Sequence, residues 1–250
     1  MPEPVSRRWL LGATLGVGAL AACSQESARP SALPTTTPPP PASSTSPPKP
    51  PPTGPATELV RASSGRPQVA LTFHGAGELP LARQVLELLT KRGARVSVLA
   101  VGTWLGKDAA AVVLDNGHEL GNHTWSHPAL AGYSPEPMYA EIQRCRDKLV
   151  DLTGSPGAFF RQSQGQHATP RELEQAGRAG YPRVLSYDVD SLDWRDPGPA
   201  AIRSAVAQAT AGSVVSMHLG HPGTLQALPG ILTDLAERGL TPVTASELMS

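Results

Sequence analysis

The sequence predicts an α/β fold, an irregular and incomplete parallel β/α barrel, over residues 58–250. Three observations predict it. Short apolar runs alternate with amphipathic stretches, the pattern of parallel strands covered by helices. The number of such units suits a barrel. Polar residues (His74, Arg161, Asp188, Asp190 and His218) fall where the strand-like runs end, and barrels carry their functional groups there.

The elements follow in order. Residues 68–73 (QVALTF) form a mostly apolar strand, and Leu81, Val85, Leu88 and Leu89 mark a helix that stops near Gly93. A buried strand over 96–101 precedes a short helix over 109–114, stopped at Asn116-Gly117. A long amphipathic helix is expected over 136–152, with proline in its first turn. Short strands over 158–161 and 182–187 flank a helix opening at Pro170. A helix over 200–211, a buried strand over 213–218, a helical stripe from Leu225 to Leu235 and a short strand over 241–243 complete the series. Cys145 shares a helical stripe with Met138, Ile142 and Leu149, which predicts a buried apolar role rather than a catalytic thiol.

The residues before 58 read differently. Ser6-Arg7-Arg8-Trp9 leads into an apolar run ending at Ala22, shorter than the roughly 20 residues a spanning helix needs. It resembles a twin-arginine export signal over residues 1–22. Leu20-Ala21-Ala22-Cys23 resembles a bacterial lipobox, which implies lipidation at Cys23. An ordinary cleaved signal, giving a secreted protein, is the alternative. Residues 23–57 are a linker: twelve of the 27 prolines lie between Pro30 and Pro55, with almost no large apolar side chains to offset the entropy of ordering. An extended proline-rich tether of this length reaches about 100 Å. The expected location is the extracytoplasmic face of the cell membrane, with membrane contact only through the lipid.

Lys plus Arg and Asp plus Glu balance at 21 each, with no basic run, so nothing marks a nucleic-acid partner. The chain has no phosphate-binding glycine loop, no Cys-x-x-Cys pair and no Gly-x-Ser-x-Gly elbow. The strongest local signal is Gly117-His118-Glu119-Leu120-Gly121-Asn122-His123-Thr124-Trp125-Ser126-His127. His123 and His127 are four residues apart. On a helical turn, or a loop of similar pitch, both imidazoles face one side and can share a metal. His118 is expected to pack structurally, and His167 and His221 carry little information.

That segment resembles the second motif of the NodB-like polysaccharide deacetylases, carbohydrate esterase family 4. Further segments match in the expected order: Val69–Phe73 before the first motif, Phe160-Arg161 at the third, Asp188–Trp194 at the fourth and Gly212–His218 at the fifth. The resemblance implies a NodB-homology barrel and a divalent metal, zinc foremost, held by His123 and His127. It implies that the metal activates a water and polarises the acetyl carbonyl. It further implies that His218 is the general acid, that Asp190 orients it, and that Trp194 lines the sugar groove. Two departures stand out. The family's first motif has adjacent aspartates, one a base and one a metal ligand, where this chain has His74 and Gly75. His74 can be a third ligand, the preferred expectation, or a base. Arg161 normally pairs with the missing aspartate and is expected to contact substrate or Asp188 instead. Gln162, Ser163 and Gln164 replace the usual residues after it.

The expected function is removal of N-acetyl groups from a cell-wall or extracellular polysaccharide, a peptidoglycan-type N-acetylhexosamine polymer. The alternatives are a non-catalytic wall-binding lipoprotein of the same fold, or a related hydrolase of another amide or ester.

Overall fold

The computed structural model describes residues 54–250. The expected signal, Cys23 and most of the linker lie outside the described residues. The domain begins slightly before the predicted boundary. Strand β1 (Thr57–Leu59) pairs with β5 (Arg183–Leu185), and the Ala56 amide donates to the Leu173 carbonyl.

The main sheet runs β4 (Glu119–Asn122), β3 (Ser97–Ala100), β2 (Gln68–Gly75), β7 (Val214–His218) and β6 (Val189–Asp190), all parallel. Strand β8 (Thr241–Pro242) pairs with the start of β2. The curve continues past β4 through Phe160, which bridges Asn122 and Val184. The segment from Arg183 to Ser191 brings it back to β7: Leu185 N donates to Phe160 O at one end, and Asp188 N to Val214 O at the other. The expected strand over 158–161 is thus reduced to one residue, Phe160, bridging on both sides. The result is the predicted irregular parallel β/α barrel.

Helices α1 (Leu79–Lys91), α2 (Lys107–Leu114), α3 (Pro135–Thr153), α4 (Pro170–Arg178), α5 (Pro199–Val206), α6 (Pro222–Glu237) and α7 (Ala245–Leu248) follow their strands or close the domain. Proline occupies the first turn of α3 and α4, where its missing N–H costs nothing. Thr169 and Glu172 form a capping box on α4. Gly154 ends α3 in the left-handed conformation. Met138, Ile142, Cys145 and Leu149 are all buried along α3, as the stripe predicts; each large apolar side chain there contributes roughly 1.5–3 kcal/mol. Burial pushes the Cys145 thiol up to about 12, so it stays protonated. Helix α5 stops five residues short of its predicted end, and Arg238 takes the freed Ala207 and Ala209 carbonyls. Among the described residues, no helix is long and apolar enough to cross a membrane.

Strand alternation positions the site. On β2, Val69, Leu71 and Phe73 pack outward into the core beneath the helices, while Ala70 packs inward with Leu99, Phe159, Leu185 and Val214. Thr72 and His74 continue that inward row, so the barrel lining turns polar toward the carboxyl ends of the strands. Ser216 and His218 do the same on β7. The parallel register sets His74 beside His218.

The loops after these two strands touch through glycines. Gly77 has φ +87°, and a Cβ there would lie 2.5 Å from the Gly220 Cα. Gly77→Ala is expected to destabilise the domain by more than about 1 kcal/mol, because it adds left-handed strain to a backbone clash. The thermal unfolding midpoint measures it, and an unchanged midpoint would refute the clasp.

Candidate active site

Four imidazoles meet at the barrel mouth. His74 stacks on His123 with ring centroids 4.1 Å apart, meets His218 edge-on at 4.4 Å, and His123 meets His127 at 4.8 Å. His74, His127, Tyr187, Asp190, Trp194 and His218 are among the residues lining a cavity of about 440 Å³. His123 lies beneath it, fully buried.

His123 and His127 do not share a helical turn. His123 follows β4 directly, and the loop reverses through two left-handed residues, Thr124 at φ +67° and His127 at φ +60°. The Thr124 hydroxyl accepts from the His127 amide and holds the turn. Non-glycine residues in this conformation store strain, which is common where a side chain must be aimed.

Donor accounting assigns protons. The Arg161 carbonyl only accepts, so the His123 Nδ1 facing it at 3.1 Å carries the hydrogen, and His123 Nε2 is a bare lone pair. That Nε2 is buried without a hydrogen-bond partner. Burial, then the neighbouring His127 and Arg161, holds His123 well below the usual imidazole range. Burial also lowers His74 well below that range and lowers His127. A neutral imidazole with one nitrogen fixed on a carbonyl and the other unpartnered is the state of a metal ligand. His74, His123 and His127 each offer a nitrogen, all within 4.8 Å of one another, and imidazole nitrogens suit a borderline-soft divalent ion. The residues present therefore fit a metal.

His218 is anchored by Asp193. Its Nδ1 lies 2.7 Å from Asp193 Oδ1, while Asp193 Oδ2 accepts from the His218 amide at 2.8 Å and the Thr224 hydroxyl at 2.6 Å. Burial would raise the Asp193 carboxyl, but these hydrogen bonds outweigh it and hold it below its ordinary value.

This corrects two sequence expectations. Asp190 does not orient His218. Its carboxylate folds back to accept from the Leu192 amide at 2.8 Å and the Trp194 indole at 3.4 Å. Leu192, left-handed at φ +57°, turns the following Asp193 into the interior. Asp193 is the partner of His218 instead. Arg161 does not reach Asp188, which instead accepts from Ser213 and the Val214 amide. Arg161 is wholly buried and donates to Leu185 O at 2.7 Å, Thr72 Oγ1 at 2.8 Å and His74 Nε2 at 3.2 Å. Burial pulls its guanidinium down to about 9, still charged at neutral pH.

Trp194 is exposed at the cavity wall. After Arg161, Gln162 and Ser163 are buried, Gln162 donating to the Gly165 carbonyl and Ser186 and Ser163 to the Pro128 carbonyl, while the exposed Gln164 donates to the His127 carbonyl. His118 packs structurally, bonded to the Val96 amide. His167 pairs with Glu58, and His221 with Asp196. At position 75 a Cβ would lie 2.9 Å from Val98 Cγ1 and 3.0 Å from both Ala100 Cα and Trp104 Cζ3, so the packing has no room for a second acid.

A parallel β/α barrel with a histidine cluster and a His–Asp pair at the carboxyl ends of its strands is the architecture of a metal-assisted hydrolase. The chain belongs to the polysaccharide deacetylase family. The family model of that description matches residues 61–184. A peptidoglycan-N-acetylglucosamine deacetylase of Bacillus cereus is 31% identical over 188 residues, covering 72% of this chain and 87% of that protein. The peptidoglycan-N-acetylglucosamine deacetylase PgdA of Listeria monocytogenes is 28% identical over 194 residues, which is 76% of this chain but 40% of that protein. The chain thus spans well under half the length of the Listeria relative. A family 4 carbohydrate esterase from Streptomyces lividans, solved with acetate, superposes with a TM-score of 0.65 at 27% identity, covering 70% of this chain and 91% of that one.

Proposed function

We propose that this domain is a divalent-metal-dependent hydrolase that removes N-acetyl groups from a cell-wall polysaccharide, a peptidoglycan-type N-acetylhexosamine polymer. The observation that carries the reading is the pairing of the bare, buried His123 Nε2 with the His218–Asp193 dyad around one cavity. His123 and His127 would hold the metal, and zinc suits imidazole ligands. When bound, the metal supplies Lewis acidity to the acetyl carbonyl and to water. His218 carries the proton that the departing sugar amine needs, and Asp193 keeps its imidazole oriented. Trp194 offers an aromatic face on which a pyranose packs. The lipid anchor at Cys23 and the proline-rich tether, both read from sequence, would present the domain to the wall.

Metal analysis of the purified chain and acetate release from N-acetylated glycans test this. The expected result is bound metal and acetate release in the wild type, with both lost in His123→Ala. Retention of wall glycan with neither metal nor release would leave a non-catalytic binding domain. Metal without release on any glycan would point to another amide or ester.

A further inference from the structure

We infer that His74 is a positioning residue rather than a metal ligand: it links Arg161 to His218, so that His218 rests with an unprotonated Nε2 and serves first as the base and then as the acid. This deepens the deacetylase reading and rests on it. It addresses the absence, among the described residues, of any carboxylate bonded to His74, His123 or His127.

The assignment follows from one donor that cannot accept. Guanidinium groups only donate. Arg161 Nη1 faces His74 Nε2 at 3.2 Å, so that nitrogen is a lone pair. A neutral His74 then carries its hydrogen on Nδ1, which lies 2.8 Å from His218 Nε2. His218 Nε2 must therefore accept, and its hydrogen sits on Nδ1, donated to Asp193. The chain Arg161–His74–His218–Asp193 runs from a buried cation to a buried carboxylate, with every hydrogen bond pointing the same way. Two imidazoles separate a charge pair that would otherwise be unmatched at both ends.

Ligation by His74 would break this chain. Through Nε2 it would strand the Arg161 donor in the interior, and through Nδ1 it would force a tautomer that sets two donors face to face. A stranded charged donor is costly. Ring placement agrees. Imidazoles sharing a tetrahedral ion at about 2.0 Å from each nitrogen have centroids about 5 Å apart. His123 and His127 meet that spacing at 4.8 Å, whereas His74 is stacked on His123 at 4.1 Å.

The chemistry then balances on His218. Water replaces His74 at His218 Nε2. Its O–H bond breaks toward that nitrogen as its oxygen bonds the acetyl carbon and the carbonyl π pair moves onto the carbonyl oxygen. His218 next gives the same proton to the amide nitrogen as that pair returns to re-form the carbonyl and the C–N bond breaks, its electron pair staying on nitrogen. The second water proton leaves with the acetic acid.

Histidine-labelled chain, free of metal, tests the tautomers by through-bond proton–nitrogen spectra. The expected pattern is a pyrrole-type Nδ1 and pyridine-type Nε2 on both His74 and His218. Zinc is then expected to move His123 and His127 nitrogens to metal-bound positions and to leave the His74 nitrogens pyrrole- and pyridine-type as before. A protonated His74 Nε2, or a zinc-bound His74 nitrogen, would overturn the proposal. Two variants read the consequence. His74→Asn, which can still accept from Arg161 and donate to His218, is expected to keep its zinc and to retain kcat within about tenfold. His74→Leu is expected to keep its zinc and lose about 10²-fold in kcat at unchanged KM. Loss of zinc in the asparagine variant would also overturn it. If the wild type binds no zinc or releases no acetate, the deacetylase reading fails, while the spectra still decide the state of His74.

Discussion

Asp193→Asn is expected to lower kcat for acetate release by about 10²–10⁴-fold with little change in KM. The reason is directional. Asp193 Oδ2 accepts two hydrogen bonds, from the His218 amide and Thr224, so the single carbonyl oxygen of an asparagine belongs there. Its amino group then faces His218 Nδ1, which must give up its hydrogen. The hydrogen moves to Nε2, where His74 Nδ1–H already points. Two donors collide, and the base is lost while the cavity keeps its shape. Asp190→Asn is the control. Its carboxylate braces Trp194 and the Leu192 amide, so the expected effect falls on KM through the aromatic wall. Steady-state kinetics on one glycan compares the two. Equal losses in kcat would mean that Asp193 has no special role.

That contrast shows where the sequence is legible and where it is not. Strand β2 is legible because six consecutive residues, Gln68 to Phe73, carry a buried pattern that needs no partner to interpret. The alternation also places His74 at a strand end, where it is found. The short strands β1 and β6 are held by their neighbours' ladders rather than by a pattern of their own, and a run of two or three residues carries too little periodicity to reveal them. His123 and His127 come together as their spacing suggests, but through left-handed loop residues that no spacing rule specifies. The choice between Asp190 and Asp193 turns on one residue, Leu192, whose positive φ reverses which carboxylate faces inward. Thr224, the second anchor of Asp193, lies 31 residues away and becomes visible only in three dimensions. Arg161 is similar. The motif marks the arginine, but its acceptors come from β2 and from the carbonyls at the end of β5.

Acid should expose the same histidine cluster thermodynamically. In the metal-free chain, stability is expected to fall as pH drops below about 6.5, by about 1.4 kcal/mol per pH unit for each buried histidine that must charge. His74 and His123 are both held well below their ordinary value, by burial first and by neighbouring imidazoles and Arg161 next. The folded state therefore keeps them neutral where the unfolded chain takes up protons. The unfolded state binds more protons below 6.5, so their contribution is fully present above that pH. It declines as pH falls, levelling only below the folded-state values. Two such groups together give about 2.7 kcal/mol per pH unit, a large share of the 5–15 kcal/mol typical of a domain. His118 and His127 shift in the same direction and add to the slope. Asp193 contributes only at lower pH, because its folded value is depressed and its stabilisation is lost as pH falls through that value. Denaturant unfolding at a series of pH values between 5 and 8 measures the slope. His123→Asn should reduce it by about one proton, and a flat profile across that range would mean that the cluster is not buried and neutral. Zinc should raise the whole profile without steepening it, because it binds the His123 nitrogen only in the folded state, where that nitrogen carries no competing proton across this range.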